Sequence, residues 1–253
     1  MSEVTEPYAP GRPCWFDLTV REPEPVHAFY RHLLGWEFAD SEWRYHQATI
    51  RGKAVAAIST GEPEDDSHWN IYLATRDTAA TAHAVEAAGG KVIKEPHDVP
   101  GGTMAIVADP TGGYFGLWRG ESFDGSELVN EAGAPCWAEA SSKDTKAAGK
   151  FFATVFGLEA KRPFPKYSYV QLRADGTEVA GILGYSHEAR PKTGHAAWLV
   201  YFQVEDTDAA VRVATEHGGT VVEKPEDSPF GRMAVLTDPA GARFAVITRP
   251  AKS

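Results

Sequence analysis

Short segments of alternating hydrophobic and polar residues are separated along this chain by segments with helical spacing. The alternation in residues 14–20, CWFDLTV, predicts a strand. The EPVHAFYRHLLG segment that follows places Val26, Phe29 and Leu33 on one side of a predicted helix. Gly35 stands where a left-handed residue would end that helix. Three short predicted strands come next, so the pattern indicates a βαβββ unit.

The second half of the chain repeats the first. Trp15 and Trp137 lie 122 positions apart, and Asp109 and Asp238 lie 129 positions apart. Two small insertions explain this drift, which indicates a tandem duplication with two βαβββ units per half. Residues 119–134 are polar and contain glycine, which is typical of a linker. We expect a flexible leader at residues 1–11, a first domain at 12–118, a linker at 119–134 and a second domain at 135–250.

Several segments carry a family resemblance. The helix ends FYRHLLGW and FFATVFGL, and the turns DPTGGYFGLW and DPAGARFAVI, resemble the vicinal oxygen chelate superfamily of glyoxalases, extradiol dioxygenases and bleomycin-resistance proteins. The GAPCW segment that opens the second half resembles a tandem subgroup described as glyoxalase-like or hydroxylase-like. The resemblance implies an α+β fold, with four βαβββ modules forming two tandem glyoxalase-like cup domains. It leaves the reaction open, because the superfamily includes lyases, isomerases, dioxygenases and pure binding proteins.

The resemblance also implies four metal ligands per cup, chosen from His, Glu and Gln. By strand and turn landmarks, these positions fall near Trp15, Ala57, Asn70 and Gly116 in the first cup, and near Trp137, Gly181, Leu199 and Ala245 in the second. Only the Asn70 side chain offers an oxygen, so we expect no bound metal and no other cofactor. The alternative is a displaced metal site built from His46, His68, Glu178 and His195.

Two acidic residues are the candidate catalytic groups. Alternation places Trp15 and Asp17 on one strand face, and Trp137 and Glu139 on the equivalent face of the second half. A carboxyl group beside an indole ring loses hydration, so its pKa should rise and suit it to act as a general base or acid. The alternative is that each carboxylate only accepts hydrogen bonds from neighbouring segments.

Aromatic and polar side chains on the predicted cup faces are candidates for ligand contacts. A planar ligand can stack on large flat rings, so we expect an aromatic or polycyclic small molecule. The candidate substrate-binding residues are Trp15, Tyr45, His68, Asn70, Tyr72 and Trp118 in the first half and Trp137, Tyr169, Tyr201, Gln203 and Arg243 in the second. Other aromatic residues, some of them expected in the core, are Trp43, Trp69, Tyr114, Phe164, Tyr167 and Trp198.

Composition argues against several other classes of function. The formal net charge is −10 and no basic run occurs, which argues against nucleic-acid binding. No apolar run is long enough to cross a membrane, and the polar start lacks the features of a secretory signal, so we expect a cytoplasmic protein. Dinucleotide, phosphate-loop and nucleophile-elbow motifs do not occur.

Three functions remain open at this stage. The first is a metal-independent isomerase, lyase, cyclase or dehydratase in which Asp17 or Glu139 transfers a proton. The second is a binding protein that sequesters an antibiotic or metabolite, as resistance members of the superfamily do. The third is a metal-dependent lyase or dioxygenase with displaced ligands. The second domain can take the place of a partner subunit, so we expect a monomer.

Overall fold

The computed structural model describes residues 3–38, 44–61, 66–163, 167–185, 194 and 197–249. The elements of the first half are β1 (Pro13–Val20), α1 (Pro23–Leu34), β2 (Glu37–Phe38), β3 (Tyr45–Ile50), β4 (Lys53–Thr60), β5 (His68–Ala74), α2 (Thr78–Ala87), β6 (Lys91–Val99), β7 (Gly102–Ala108) and β8 (Tyr114–Gly120). Those of the second half are β9 (Pro135–Ser142), α3 (Thr145–Phe156), β10 (Glu159–Lys161), β11 (Tyr169–Ala174), β12 (Thr177–Gly184), β13 (Trp198–Gln203), α4 (Thr207–Glu216), β14 (Thr220–Ser228), β15 (Gly231–Thr237) and β16 (Arg243–Thr248).

Each half forms one eight-stranded sheet. The strand order is β2-β3-β4-β1-β5-β8-β7-β6 in the first half and β10-β11-β12-β9-β13-β16-β15-β14 in the second. The first strands of the two modules pair antiparallel at the centre, β1 with β5 and β9 with β13. This topology confirms the predicted α+β fold with two tandem cup domains.

The helices begin and end where local sequence signals indicate. Gly35 follows α1 with φ of 70°, a left-handed conformation that glycine adopts without a steric penalty. Asp77 accepts a hydrogen bond from Ala80 N at the start of α2. In the described part of the chain, no helix has both the length and the hydropathy needed to cross a membrane.

The helix-bearing faces of the two sheets share one hydrophobic core. In the first half the Tyr30 ring stacks on Trp36 with centroids 4.8 Å apart. Phe202 of the second half lies 5.3 Å from both Trp36 and Trp69. Since these faces are buried against each other, the opposite faces of the sheets are left to form the two cups.

The first strand of each half carries an irregularity that affects its cup. The β1–β5 register shifts between Pro13 and Trp15, so Cys14 forms a bulge, and Cys136 occupies the same place in β9. Cys14 and Trp15 consequently pack in the same cluster on the cup side.

Residues 3–11, expected to be a flexible leader, lie against the linker. Val4 N donates to Glu127 O at 2.9 Å, and the Tyr8 hydroxyl donates to Ser126 O at 2.6 Å. The linker contacts both halves in turn, because Gly133 O accepts from Trp36 Nε1 and Gly133 N donates to Gln203 O. Leader and linker therefore run side by side past the two domains.

The shared core predicts that the two halves unfold together. Phe202→Ala removes a fully buried ring that touches both halves, so the free energy of unfolding should fall by about 3–5 kcal/mol in a single urea transition. Val222→Ala, at a side chain 45% exposed on β14, should change it by less than about 0.5 kcal/mol. Two separate transitions, with only one affected by Phe202→Ala, would contradict the shared core.

Candidate functional site

The first cup contains a chain of hydrogen bonds that ends at a buried carboxylate. Trp15 Nε1 donates to the Tyr45 hydroxyl at 2.6 Å, and that hydroxyl donates to Asp17 Oδ2 at 3.2 Å. The Tyr72 hydroxyl forms a further hydrogen bond with Asp17. Asn70 Nδ2 donates to Asp17 Oδ1 at 2.7 Å. Side chains of the protein thus surround Asp17.

The second cup repeats this arrangement. The Trp137 indole hydrogen-bonds the Tyr169 hydroxyl, and Tyr169 hydrogen-bonds Glu139. The Tyr201 hydroxyl donates to Glu139 Oε1 at 3.3 Å. Leu199 occupies the position equivalent to Asn70, so the amide donor that Asp17 has in the first cup has no counterpart at this position.

Strand register explains how the two carboxylates come to lie at the cup floors. Asp17 pairs with Ala57 on one side and Asn70 on the other. Glu139 pairs with Gly181 and Leu199 in the same way. Each carboxylate is therefore level with two of the other positions inferred from the family pattern. Trp15 is level with the third, Gly116, through Tyr72, and Trp137 is level with Ala245 through Tyr201.

The first cup is filled by residues of the chain itself. Phe123, from the linker, packs edge-on against Trp15 with ring centroids 4.7 Å apart, and its carbonyl accepts from Trp118 Nε1 at 2.9 Å. Tyr8, Met104 and Ile106 pack against the same cluster. Burial raises the pKa of Asp17, and the hydrogen bonds from Asn70, Tyr72 and Tyr45 oppose that rise.

The second cup opens into a cavity of about 860 Å³. Glu139 lines this cavity together with Trp137, Tyr169 and Tyr201. Burial raises the pKa of Glu139 from 4.5 to about 7, although the hydrogen bonds from Tyr201 and Tyr169 act in the opposite direction. Burial and the Glu139 charge also raise the pKa of both tyrosines, which keeps them protonated as hydrogen-bond donors. The cavity therefore holds one carboxyl group that titrates near neutral pH.

The donor set does not fit the metal site that the family resemblance implies. A Cβ atom at Gly116 would lie 2.0 Å from the Tyr72 ring, and one at Gly181 would lie 2.3 Å from the Tyr169 hydroxyl. The tyrosine side chains thus fill the space that a ligand side chain at those positions would need. The side chains of Gly181, Leu199 and Ala245 offer no ligand atom, and no group of three or more His, Cys, Asp or Glu residues suited to a metal occurs within the described residues.

The three described residues of the alternative metal site are not brought together. The His46 ring packs edge-on against His27 at 4.8 Å, and His68 Nδ1 lies 2.5 Å from Asp66 O in its own loop. Glu178 lines the second cavity but lies 3.9 Å from the Arg173 guanidinium. His195 lies outside the described residues.

The other residues predicted to contact a ligand do not all line the cavity of the second cup. Gln203 and Arg243 are absent from the cavity lining: Gln203 pairs with linker backbone, and Arg243 lies 3.6 Å from Glu223. Trp69 and Trp198 belong to the shared core on the helix side. Tyr167 lies on the cavity lining. Trp43 and Phe164 fall outside the described residues.

Four lining residues carried no signal in the sequence. Tyr8 lies in the leader, Arg12 directly precedes β1, Phe230 lies in the β14–β15 turn, and Arg249 follows β16. The hydrophobic period of a strand or helix does not extend to these positions. The internal repeat could not reveal Tyr8 or Phe123 either, because leader and linker lie outside the repeated units.

Comparison with known proteins establishes the family. The model described as the Glyoxalase/Bleomycin resistance protein/Dioxygenase superfamily matches residues 13–115 and 137–246. The chain therefore belongs to this superfamily, with one match in each half.

Two relatives match nearly the whole chain. The "Anthracycline biosynthesis protein DauV" of Streptomyces sp. (strain C5) is 36% identical over 263 residues, covering 95% of this chain and 94% of its own. The protein named "Putative glyoxylase CFP32" of Mycobacterium tuberculosis (strain CDC 1551 / Oshkosh) is 36% identical over 253 residues, covering 95% of both chains.

Solved structures show the same fold at low identity. The Mn(II)-bound glyoxalase from Novosphingobium aromaticivorans has a TM-score of 0.67 and 19% identity, covering 94% of this chain and 82% of that one. The 2,3-dioxygenase LapB from Pseudomonas sp. KL28 has a TM-score of 0.67 and 15% identity, covering 97% and 95%. At these identities the likeness concerns the fold alone.

The raised pKa of Glu139 predicts a pH-dependent loss of stability. A folded-state value near 7 against 4.5 means that the folded protein holds the proton more tightly. The contribution of Glu139 to the free energy of unfolding is thus fully present below pH 4.5. It falls by up to about 3 kcal/mol as the pH rises to about 7. Glu139→Gln should remove that loss, so the variant should gain stability relative to the parent protein between pH 5 and pH 8.

Urea unfolding at the two pH values measures this effect. Tyr201→Phe is the matched control, because it removes a hydrogen bond that lowers the pKa of Glu139 and should make the total loss of stability larger. If the free energy of unfolding changes by the same amount in the parent protein and in Glu139→Gln between pH 5 and pH 8, Glu139 does not titrate in that range.

Proposed function

We propose that the second cup is the active site of a metal-independent enzyme that transfers a proton on a small aromatic or polycyclic metabolite. One observation carries this proposal. Glu139 is buried, is held by two phenol donors, and faces a cavity large enough for a drug-sized molecule. The first cup has the same carboxylate arrangement but is filled by its own side chains, so we assign it a structural role.

Glu139 would act first as a general base. A pKa near 7 leaves a useful fraction ionised at neutral pH and makes the protonated form a usable acid afterwards. The carboxyl can therefore take a proton from one atom of the substrate and return it to another. Isomerisation, elimination, cyclisation and dehydration all require such a transfer.

The two tyrosines would orient Glu139 and stabilise developing charge. Trp137 donates to the Tyr169 oxygen, so the Tyr169 hydrogen is free to point at Glu139. Once Glu139 carries the proton it needs fewer donors, and a tyrosine hydroxyl can turn to an oxygen of the substrate. The tyrosines are positioning residues in the first step and electrostatic partners in the second.

The cavity lining supports a flat apolar substrate. Val179, Met233, Val235 and Ile247 supply aliphatic surface, and Tyr167 and Phe230 supply rings. The relative from Streptomyces is named for anthracycline biosynthesis, and anthracyclines are fused-ring aromatic compounds. That name supports secondary metabolism as the setting and a fused-ring molecule as the substrate.

Sequestration of an aromatic compound is the second candidate function. The same ring-lined cavity favours it, since binding alone needs stacking and no proton transfer. Glu139 distinguishes the two functions, because a purely binding cavity gains little from a buried acid.

Deuterium exchange into the fused-ring carbon acid anthrone tests the proposal directly. In D₂O at pH 7.5, the protein should accelerate exchange at the acidic carbon, as measured by proton NMR. Glu139→Gln should slow the catalysed rate by about 10²- to 10⁴-fold, the usual range for loss of a general base. The matched variant Asp17→Asn, in the filled cup, should leave it within a factor of about two when the fold is intact.

Full exchange activity in Glu139→Gln would remove Glu139 from the mechanism. Anthrone that binds to the second cup and is recovered without deuterium would favour sequestration.

Chelation provides a further prediction. A metal that stabilised the fold would lower the melting temperature on removal, because binding to the folded state adds to stability. We expect an unchanged melting temperature with and without EDTA, and negligible transition metal by elemental mass spectrometry. A stoichiometric metal together with a chelator-sensitive melt would instead favour a metal-dependent lyase or dioxygenase.

A further inference from the structure

The charged residues of the second cavity are not equally compensated. Three of its carboxylates already have arginine partners: Glu178 with Arg173 at 3.9 Å, Glu223 with Arg243 at 3.6 Å, and Asp227 with Arg232 at 3.1 Å. These acidic groups are consequently satisfied within the protein.

Two arginines that line the same cavity lack such compensation. Within the described part of the chain, no carboxylate lies within ion-pair distance of Arg12 or Arg249. The Arg12 guanidinium lies 5.4 Å from the centre of the Tyr8 ring. Arg249 donates through Nη1 to Asn130 Oδ1 at 3.0 Å and through Nη2 to Cys136 O at 2.7 Å. A guanidinium has five N–H donors, so three of those on Arg249 remain for a ligand.

The Arg249 guanidinium and the backbone at Arg12 are held in place before any ligand arrives. Arg12 O accepts from Ala74 N, and Gly11 N donates to Ala74 O, so the backbone here is tied to β5. A Cβ atom at Gly11 would lie 2.7 Å from Phe156, which shows how closely this segment is pressed against the second half. A group that is already positioned loses little entropy when it binds. The third basic lining residue, Lys224, is an exposed side chain on edge strand β14.

The position of Arg249 sets a length for the ligand. Its guanidinium is bonded to Cys136, three residues before Glu139 on β9. At the strand rise per residue, these places lie roughly 10 Å apart. Three linearly fused aromatic rings span a comparable length, so one molecule can reach both Glu139 and Arg249.

We propose that Arg12 and Arg249 form a subsite for an anionic oxygen, so that the substrate is a fused-ring aromatic carrying a carboxylate, phenolate or enolate oxygen at the end remote from Glu139. This inference rests on the proposed function, because it uses Glu139 as the reacting end of the same cavity. It adds the acidic substituent and the direction in which the molecule lies. Arginine suits this task, since its planar N–H groups match the two oxygens of a carboxylate.

A matched pair of probes tests the subsite. Anthraquinone-2-carboxylate and its uncharged carboxamide are titrated into the full-length protein at pH 8, and calorimetry gives both Kd values. Charge-assisted hydrogen bonds should make the carboxylate bind about tenfold more tightly. Arg249→Gln and Arg12→Gln should each remove most of that preference and leave the Kd of the carboxamide unchanged. Arg119→Gln, whose guanidinium bonds Thr103 and Glu121 in the first half, should leave both values unchanged.

Equal affinity for the two probes in the parent protein overturns the subsite. The subsite is also overturned if Arg12→Gln weakens the binding of both probes equally while its circular dichroism spectrum is unchanged. Arg12→Gln keeps the test decisive if Arg249→Gln fails to fold, because the Arg249 guanidinium also bonds Asn130 of the linker, whereas the Arg12 guanidinium lies against the Tyr8 ring and its backbone bonds do not depend on the side chain. Glu139→Gln should retain the carboxylate preference, so a failure of Glu139 as the base and a failure of the arginine subsite give different results.

Discussion

The burial of the two helix-bearing sheet faces against each other is the constraint on which the rest of this structure depends. Each half has a hydrophobic face that it cannot bury alone, and rings such as Tyr30, Trp36 and Phe202 interlock across the boundary. The Tyr30 hydroxyl even donates to Asp238 of the other half, at 3.2 Å. With these faces occupied, only the opposite sheet faces remain for ligands. Leader and linker must then run past both cups, which brings Phe123 into the first and Arg12 into the second.

The duplication supplied two copies of one polar arrangement, and small differences give them different chemistry. The polar residues of the two cups form four equivalent pairs: Trp15 and Trp137, Tyr45 and Tyr169, Asp17 and Glu139, and Tyr72 and Tyr201. In the first cup Asn70 supplies another donor and Phe123 fills the space, so the carboxylate is a structural acceptor. In the second cup a leucine replaces the asparagine, and the carboxylate faces an open cavity. A few side chains thus separate a structural cup from a proposed catalytic one.

The sequence predicted those parts of the molecule that have a period. Strand alternation placed Asp17 and Glu139 on the cup faces, and the repeat predicted the two-domain fold, because burial on one face leaves a regular pattern. It could not predict that Phe123 enters the first cup or that Arg12 reaches the second, since neither the linker nor the segment before β1 has such a pattern. The sequence showed that Gly116 and Gly181 stand where the family pattern has metal ligands. It could not show why glycine occurs there, which is that the Tyr72 and Tyr169 side chains fill the space above these positions.

We expect the second cup, and not the first, to be open to ligand. The most direct measurement is a crystal structure of the protein with anthraquinone-2-carboxylate bound. We expect one molecule per chain, in the second cup, with one end at Glu139 and its carboxylate at Arg12 and Arg249, and with Phe123 still packed against Trp15. A molecule in the first cup with Phe123 displaced, or one in each cup, would contradict it.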